Sequence, residues 1–243
     1  MEQMKQKIIP IFLDWTGTMN HITSEGEEIG AEKFKKFLES IKNLEEKTGA
    51  RAVVTIISGS PVSSAQSKIK ILSTLSNNQI GYSVFLGMVA EYCGYIVNDN
   101  SGVKQLSKAP EELFSHTQEL KERFKSWVNG DIDTEVSTYM GILLNDDTSK
   151  EDYERYLAEI RGLFSQEYDV SGYFDEYGKG IDIKSIKTNK KEAVETVIRG
   201  LSEAYEPEQI LAIITGGDSY QEDVPMAYSN VGGIPIIPIA PKN

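Results

Sequence analysis

The chain has 243 residues, of which 40% are hydrophobic and 26% charged, proportions typical of a soluble globular protein. Its 37 acidic and 25 basic residues give a formal charge of −12, which argues against nonspecific binding to nucleic acid or to an anionic membrane surface. No apolar stretch approaches the ~20 residues that span a bilayer, and the N-terminus lacks the apolar core of a signal peptide. A single cysteine, Cys93, excludes an internal disulfide and fits a reducing compartment, so we expect a cytoplasmic protein.

The first predicted element is an apolar strand from Ile8 to Leu13 that ends in Asp14 and a Thr-Gly-Thr turn. A uniformly apolar run is typical of a parallel strand that is buried on both faces. Ligands of open α/β sheets bind beyond the carboxyl ends of such strands, so Asp14 is placed to face a functional site. Asp and Gly are also common turn formers, and on this segment alone a simple turn explains the pattern about as well.

Apolar strands and amphipathic helices then alternate, which predicts a Rossmann-like α/β core with a parallel sheet. A helix is predicted over residues 34–44, with Gly49 as its C-cap, and the next strand, 52–57, ends in Ser58 and Gly59. A third strand is predicted over residues 81–90, followed by a hairpin at 95–102.

Between residues 103 and 180 the predicted strands alternate apolar and polar residues, a pattern of antiparallel sheets with one solvated face. Two such strands, 136–144 and 168–177, are each preceded by a predicted helix. The buried α/β pattern returns at Ile181. We therefore predict a core domain of residues 1–102 and 181–243, interrupted by an inserted α+β domain of residues 103–180.

In the second part of the core, Asn189 and Glu192 form a predicted capping box that begins a helix. Lys190 lies in the first turn of this helix. A strand predicted over residues 210–214 leads to a Gly-Gly-Asp sequence that ends at Asp218, and the last strand is predicted over residues 234–239.

Three of these strands end in groups that suit phosphate and metal chemistry. The groups are Asp14 with Thr16, then Ser58, then Asp218 with Glu222 and Asp223. A carboxylate can accept a phosphoryl group, but several carboxylates repel a phosphate unless a cation lies between them. Mg²⁺ suits this role, since it binds one or two carboxylates together with other oxygens and water. Lys190 is the best placed lysine to offset the remaining negative charge.

These residues resemble the motifs of the haloacid dehalogenase-type phosphohydrolases over nearly the whole chain. The four motifs are similar to residues 14–18, to Ser58-Gly59, to the segment from Ile181 to Lys190, and to residues 217–223. The insertion follows residues 89–95, which are similar to the Ala-Glu-Asn-Gly-Ala turn of the branch with a C2B-type cap domain. That branch includes phosphatases that act on sugar phosphates such as those of trehalose and sucrose.

The resemblance implies an aspartyl-phosphate intermediate on Asp14 and a catalytic set of Asp14, Thr16 and Lys190. It implies that the phosphate of the substrate is held by Ser58, Gly59 and Lys190. It implies Mg²⁺ as cofactor, with the ligands Asp14, Thr16 through its backbone, Asp218 and one further acid. The spacing permits either Glu222 or Asp223 as that acid, and Asp223 is favoured.

Thr16 departs from the family pattern, in which this position holds an aspartate that acts as general acid and base. Such help is worth about 10²–10⁴-fold in rate, so its absence predicts slower hydrolysis. Three functions remain open. They are a slow or specialised phosphatase for a small phosphorylated metabolite, a phosphotransferase, and a noncatalytic protein that binds a phosphorylated ligand.

Overall fold

The structure is a computed structural model that describes residues 6–15, 18, 21–23, 26–28, 31–58, 80–84, 89–91, 103–105, 117–128, 139–175, 178–186, 189–203, 205–217 and 223–239. The chain divides into two compact units. The core unit consists of Met1–Leu106 and Asn189–Asn243, and the inserted unit consists of Ser107–Thr188.

The secondary structure of the described residues comprises short strands, four α-helices and two 3₁₀ turns. The strands are β1 (Ile8–Asp14), β2 (His21–Thr23), β3 (Gly26–Glu28), β4 (Arg51–Ser58), β5 (Ile80–Val84), β6 (Val89–Glu91), β7 (Val103–Gln105), β8 (Tyr139–Leu143), β9 (Tyr168–Phe174), β10 (Lys179–Ser185), β11 (Ile213–Gly216) and β12 (Ile236–Ile239). The helices are α1 (Ala31–Thr48), α2 (Thr117–Arg123), α3 (Lys150–Arg161) and α4 (Lys190–Leu201). The 3₁₀ turns are Pro207–Gln209 and Val224–Tyr228.

The core unit is built on a sheet with the strand order β12-β11-β1-β4-β5-β6-β7. Every neighbouring pair from β12 to β5 is parallel, and β6 and β7 extend the sheet in antiparallel fashion. Parallel neighbours require crossover connections, and α1 lies in the connection between β1 and β4. The predicted α/β core with a parallel sheet is therefore confirmed.

Strand β1 lies at the centre of the five parallel strands of this sheet, between β11 and β4, and all seven of its residues are buried. Its uniformly apolar sequence follows from this place, because both faces of a central parallel strand are covered. Ile8 and Phe12 are completely buried, and burial of a side chain of this kind stabilises the fold by about 1.5–3 kcal/mol. The carboxylate of Asp14 is thus attached to a fully buried strand.

Helix α1 ends as the sequence predicts. Gly49 has a φ angle of 65°, in the left-handed region that glycine adopts without steric penalty, and its N–H donates to the carbonyl of Glu45 at 2.9 Å. This C-cap turns the chain directly into β4.

The inserted unit has its own three-stranded antiparallel sheet, in the order β8-β10-β9. Ile181 and Ile183 of β10 are completely buried, whereas Asp182 and Lys184 on the alternate positions are half-buried. Residues from α2, α3 and the three strands form the core of this unit. The fully buried members are Leu120, Phe124, Met140, Ile160, Ile181 and Ile183.

The structure moves both predicted domain boundaries. Ile181 does not begin the core, because β10 pairs with β8 and β9 and the core unit resumes only at Asn189. The prediction was wrong because the apolar residues of β10 face the buried side of an antiparallel sheet. In so short a segment, these residues look the same in sequence as a strand of the parallel core. At the first boundary, β7 pairs with β6 and still belongs to the core sheet, so the insertion begins at Ser107 rather than at residue 103.

The single strand predicted over residues 81–90 is wrong. The region holds two antiparallel strands, β5 and β6, with residues 85–88 between them outside the described residues. The hairpin predicted at residues 95–102 also lies outside the described residues. None of the helices in the described ranges combines the length and the apolar character needed to cross a bilayer.

Candidate active site

The carboxyl ends of β11, β1 and β4 lie side by side in the core sheet. Leu13 is paired with Gly216 and Asp14 with Ile57, so the last residues of the three strands reach one common edge. Asp14 ends β1 and Ser58 ends β4 at this edge. It is the edge at which open α/β sheets bind their ligands.

Lys190 reaches the same edge from the first position of α4. The helix begins at the N-cap residue Asn189, whose side-chain oxygen accepts a hydrogen bond from the N–H of Glu192 at 2.9 Å. An ammonium group at a helix N-terminus is unfavourable with respect to the helix dipole, and it needs nearby anions to compensate. The side chain of Lys190 is only 3% exposed, so these anions must come from the protein interior.

Asp14 and Asp223 supply that compensation. Lys190 Nζ donates a hydrogen bond to Asp14 Oδ1 at 2.6 Å and a second one to Asp223 Oδ1. The two aspartates are each 6% exposed. One ammonium group therefore faces two carboxylates in a site that is largely closed to water. With both acids ionised, the cluster carries one net negative charge.

The pKa values of the cluster follow from burial and charge. Burial raises the pKa of Asp14 to about 6, although the charge of Lys190 and hydrogen bonds from Lys190 and from the Trp15 N–H lower it. Burial opposes the charge of Lys190, but the two carboxylates outweigh burial and raise the pKa of this lysine. At neutral pH Lys190 is therefore charged, and Asp14 is mostly an ionised carboxylate in a dry environment.

Asp223 is held in place by the turn that follows it. The N–H of Met226 donates to the carbonyl of Asp223 at 3.0 Å, and the Met226 side chain is completely buried. On its other side the Asp223 carboxylate lies directly against the Cα of Gly217, where a methyl group would overlap it. Gly217 follows β11, so this glycine leaves room for an acid at the sheet edge.

The structure thus brings together three of the predicted site residues, namely Asp14, Lys190 and Asp223. Ser58 is the last residue of β4, next to the carboxyl end of β1. The other predicted site residues lie outside the described residues, and they are Thr16, Gly59, Asp218 and Glu222. Within the described part of the chain, no group of three His, Cys, Asp or Glu side chains is arranged to hold a metal ion.

Two contributors to the site were missed at the level of sequence. The N–H of Trp15 bonds to the Asp14 carboxylate, and a backbone donor leaves no mark in the choice of side chain. Gly217 belongs to the fourth motif. Its lack of a side chain matters because the carboxylate of Asp223, six positions later, packs against its Cα. The Gly-Gly pair before Asp218 was the available signal.

Comparison with solved structures shows that this chain has the fold of phosphatases of the haloacid dehalogenase type. The chain is similar to a phosphatase of the haloalkanoate (HAD) superfamily from Bacteroides thetaiotaomicron, with a TM-score of 0.56 and 13% identity over 95% of this chain and 84% of the other.

It is also similar to trehalose-6-phosphate phosphatase from Aspergillus fumigatus, with a TM-score of 0.58, 15% identity and coverage of 97% and 83%. The sucrose-phosphatase from Synechocystis, solved with sucrose and phosphate, gives a TM-score of 0.52, 12% identity and coverage of 92% and 80%. No protein-family model matches the sequence, and no curated protein matches it. At these identities the likeness establishes the fold, as the motif resemblance predicted.

Proposed function

We propose that this protein is a Mg²⁺-dependent phosphohydrolase that acts on a small phosphorylated metabolite through a phosphoryl group carried by Asp14. The observation that carries the proposal is the buried cluster in which Lys190 bridges Asp14, at the end of the central strand, and Asp223. A structural ion pair would not require three charged groups at the ligand-binding edge of the sheet. Perturbed pKa values at such an edge are characteristic of functional sites.

The chemistry assigned to Asp14 takes place in two steps. In the first, a carboxylate oxygen of Asp14 attacks phosphorus, the new O–P bond forms, and the bond from phosphorus to the substrate oxygen breaks. The departing oxygen takes a proton from water or solvent. In the second step a water molecule attacks the same phosphorus atom, the Asp14 O–P bond breaks, and inorganic phosphate leaves with the carboxylate regenerated. The exclusion of water from Asp14 favours the first step, because the attacking oxygen has little hydration to lose.

The donor set fits Mg²⁺. Two buried carboxylates, with a single ammonium between them, present hard oxygen ligands and one net negative charge, the combination that suits this ion. The residues that would hold it are Asp14, Thr16 through its backbone, Asp218 and Asp223. When bound, the ion neutralises the charge that accumulates on the transferring phosphoryl group. Ser58, Gly59 and Lys190 are assigned to the phosphoryl oxygens.

The fold comparisons support a sugar phosphate as the class of substrate. Two of the similar structures are phosphatases named for trehalose-6-phosphate and for sucrose phosphate. We assign the inserted unit as the cap domain that selects the substrate. The second candidate function, a noncatalytic protein that binds a phosphorylated ligand, is favoured by Thr16, which replaces the general acid and base of the family pattern. A phosphotransferase, in which an alcohol replaces water in the second step, rests on the same substitution.

A phosphatase assay with an activated aryl phosphate separates these functions. Its leaving group needs little protonation, so the missing acid at position 16 should not prevent turnover. We expect phosphate release that requires Mg²⁺ and stops when EDTA is added. Absence of both turnover and a Mg²⁺-dependent phosphorylated form of the protein would favour the noncatalytic function. Release that increases with added alcohol, together with formation of a new phosphate ester, would favour phosphotransfer.

Thr16→Asp is expected to accelerate hydrolysis of ordinary sugar phosphates. The new carboxyl group can protonate an alkoxide leaving group and then activate water, and we expect a gain of about 10–10²-fold, at or below the low end of the usual effect. The measurement is kcat for a sugar phosphate and for the aryl phosphate. The gain should be much smaller with the aryl phosphate. Thr16→Asn serves as the control, because the asparagine side chain has nearly the size of aspartate but carries no acidic proton.

Gly217→Ala is expected to reduce phosphate release by about 10²-fold, because the added methyl group displaces the Asp223 carboxylate. The neighbouring Gly216→Ala is a matched control, since its methyl would come too close only to the end of the Leu13 side chain, at 2.9 Å, and would make ordinary contact with the Ile239 carbonyl oxygen at 3.6 Å. A flexible side chain can move aside, so this control should lose stability rather than activity. In an Asp223→Ala background, Gly217→Ala should have little further effect. An equal loss in both backgrounds would contradict this explanation.

A further inference from the structure

The segment that carries Asp223 is fastened to α4 at both of its ends. At its start, the Asp223 carboxylate accepts a hydrogen bond from Lys190. At its end, the N–H of Asn230 donates to Glu195 Oε1 at 2.6 Å. Between the two contacts, the completely buried Met226 anchors the segment, which packs on this helix. Lys190 and Glu195 thus hold the two ends of one short piece of chain.

The contact at Glu195 is of a strong kind. A backbone N–H that donates to a carboxylate forms a charge-assisted hydrogen bond, which is shorter and about twice as strong as a neutral one. The Glu195 side chain is 17% exposed, and the ammonium group of Lys191 lies 3.9 Å from the same Oε1 atom, whereas Asn230 is at the surface. Glu195 lies five positions after Lys190, which corresponds to about 7.5 Å along the helix axis. The two contacts are therefore far enough apart to fix the direction of the segment as well as its position.

We propose that Glu195 is a positioning residue for the metal site. It holds the end of the segment at Asn230 and thereby keeps the Asp223 carboxylate at the edge where Lys190 and Asp14 meet. Glu195 itself is assigned no contact with substrate or metal. This inference rests on the proposed function, since it assumes that Asp223 contributes to Mg²⁺ binding.

Glu45 provides a matched control elsewhere in the core unit. Glu45 Oε1 accepts a hydrogen bond from the N–H of Ala52 at 2.8 Å, so it also joins a helix to a neighbouring segment through a carboxylate and a backbone donor. Ala52 lies near the start of β4, whereas Ser58 lies at the other end of that strand, at the edge where Asp14 is located. Loss of this contact should lower stability without affecting the metal site.

The experiment measures the increase in Tm of the full-length protein over a series of Mg²⁺ concentrations, without substrate. The variants are Glu195→Ala, Glu195→Asp, Glu195→Gln and Glu45→Ala. We expect Glu195→Ala and the shorter Glu195→Asp to require about tenfold more Mg²⁺ for the same increase in Tm, as loss of one such hydrogen bond implies. Glu195→Gln keeps a neutral oxygen acceptor of the same reach and should require an amount of Mg²⁺ between those of the wild type and Glu195→Ala. Glu45→Ala should have a lower Tm and an unchanged Mg²⁺ requirement.

The Mg²⁺ requirements of these variants test the positioning role of Glu195 directly. If Glu195→Ala fails to fold, Glu195→Asp and Glu195→Gln still give the required comparison. A Mg²⁺ requirement of both Glu195→Ala and Glu195→Asp within about twofold of the wild type would overturn the positioning role and leave the proposed function intact. An equal weakening in Glu45→Ala would also overturn it, since any loss of stability would then suffice. A wild-type protein that Mg²⁺ does not stabilise would overturn the proposed metal site and this inference together.

Discussion

Asp14→Asn is expected to abolish Mg²⁺-dependent phosphate release while leaving the fold at least as stable at neutral pH. The amide is a far poorer nucleophile than a carboxylate and does not form the phosphorylated intermediate. The substitution also removes one buried charge from the cluster. Lys190 and Asp223 remain as a neutral pair, so stability at neutral pH should not fall. Phosphate release and the free energy of unfolding in urea, both measured on the same preparation, check the two halves of this prediction.

The same variant is expected to remove a pH dependence of stability in the metal-free protein. The pKa of Asp14 lies at about 6 in the folded protein, above its ordinary value of 3.8, so the folded state binds more protons between these values. The free energy of unfolding of the wild type should therefore fall as pH rises from about 4 to 6. The contribution of Asp14 is on the order of 3 kcal/mol, at 1.36 kcal/mol for each pH unit.

The comparison between wild type and variant isolates Asp14 from the other acids that titrate in this range. Urea unfolding with EDTA at pH 4, 5, 6 and 7 should give two curves that separate progressively above pH 4, with Asp14→Asn higher. Asp147→Asn, at an exposed position of the inserted unit, should follow the wild type. Parallel curves for wild type and Asp14→Asn would mean that Asp14 is not buried as a charged group. Residual turnover in Asp14→Asn would point to a different nucleophile.

The sequence predicts those parts of the site that depend on neighbouring residues better than those that depend on residues far apart in the chain. Asp14 and Lys190 were predictable because each is marked by its local sequence, the first by an apolar strand that ends in an acid and the second by a capped helix. The central place of β1 in the sheet explains why its pattern was so clear. Strands with both faces covered carry a stronger signal than short edge strands.

The domain boundary near Ile181 could not be predicted because strand pairing is a nonlocal property. Ile181 and Ile183 would suit either sheet, and only their pairing with β8 and β9 assigns them to the inserted unit. The separation of β5 from β6 was missed for the same reason, since two short apolar strands that pair with each other resemble one long strand in sequence.

The preference for Asp223 over Glu222 as a metal ligand stays a prediction, because Glu222 lies outside the described residues. The spacing of the motif permits both acids, and the sequence alone offers only a precedent for the longer spacing. In the structure, Asp223 immediately precedes a 3₁₀ turn in which Met226 is buried, and this turn holds its carboxylate next to Gly217. The small residue at position 217 and the apolar residue at position 226 are the sequence features that accompany this placement of Asp223.

Lys190→Met is expected to be the most destabilising of these substitutions at neutral pH. It leaves the carboxylates of Asp14 and Asp223 buried near each other without a counter-charge, and removal of one partner from a buried ion pair typically lowers stability by about 3–5 kcal/mol. The loss should become smaller towards pH 5, because protonation of Asp14 relieves the repulsion. Urea unfolding at both pH values measures this difference.

Lys191→Met is the matched control for Lys190→Met. Lys191 occupies the next position of α4, its side chain is 43% exposed, and its Nζ lies 3.9 Å from Glu195 Oε1. Exposed pairs of this kind contribute about 0–1 kcal/mol, so the control should unfold almost as the wild type does. In the phosphatase assay, Lys190→Met should reduce kcat by about 10²–10³-fold, as loss of one charge-stabilising donor does in other active sites.

A double-mutant cycle between Lys190→Met and Asp223→Asn then tests whether the two groups act as one unit. Asp223→Asn in the Lys190→Met background removes one of the two stranded carboxylates, and it should restore part of the lost stability without restoring activity. If Lys190→Met instead unfolds like Lys191→Met, the carboxylates tolerate burial without the ammonium group. The proposed role of this cluster in phosphoryl transfer would then be wrong, because the same balance of charges is what suits the cluster to a divalent cation and a phosphate.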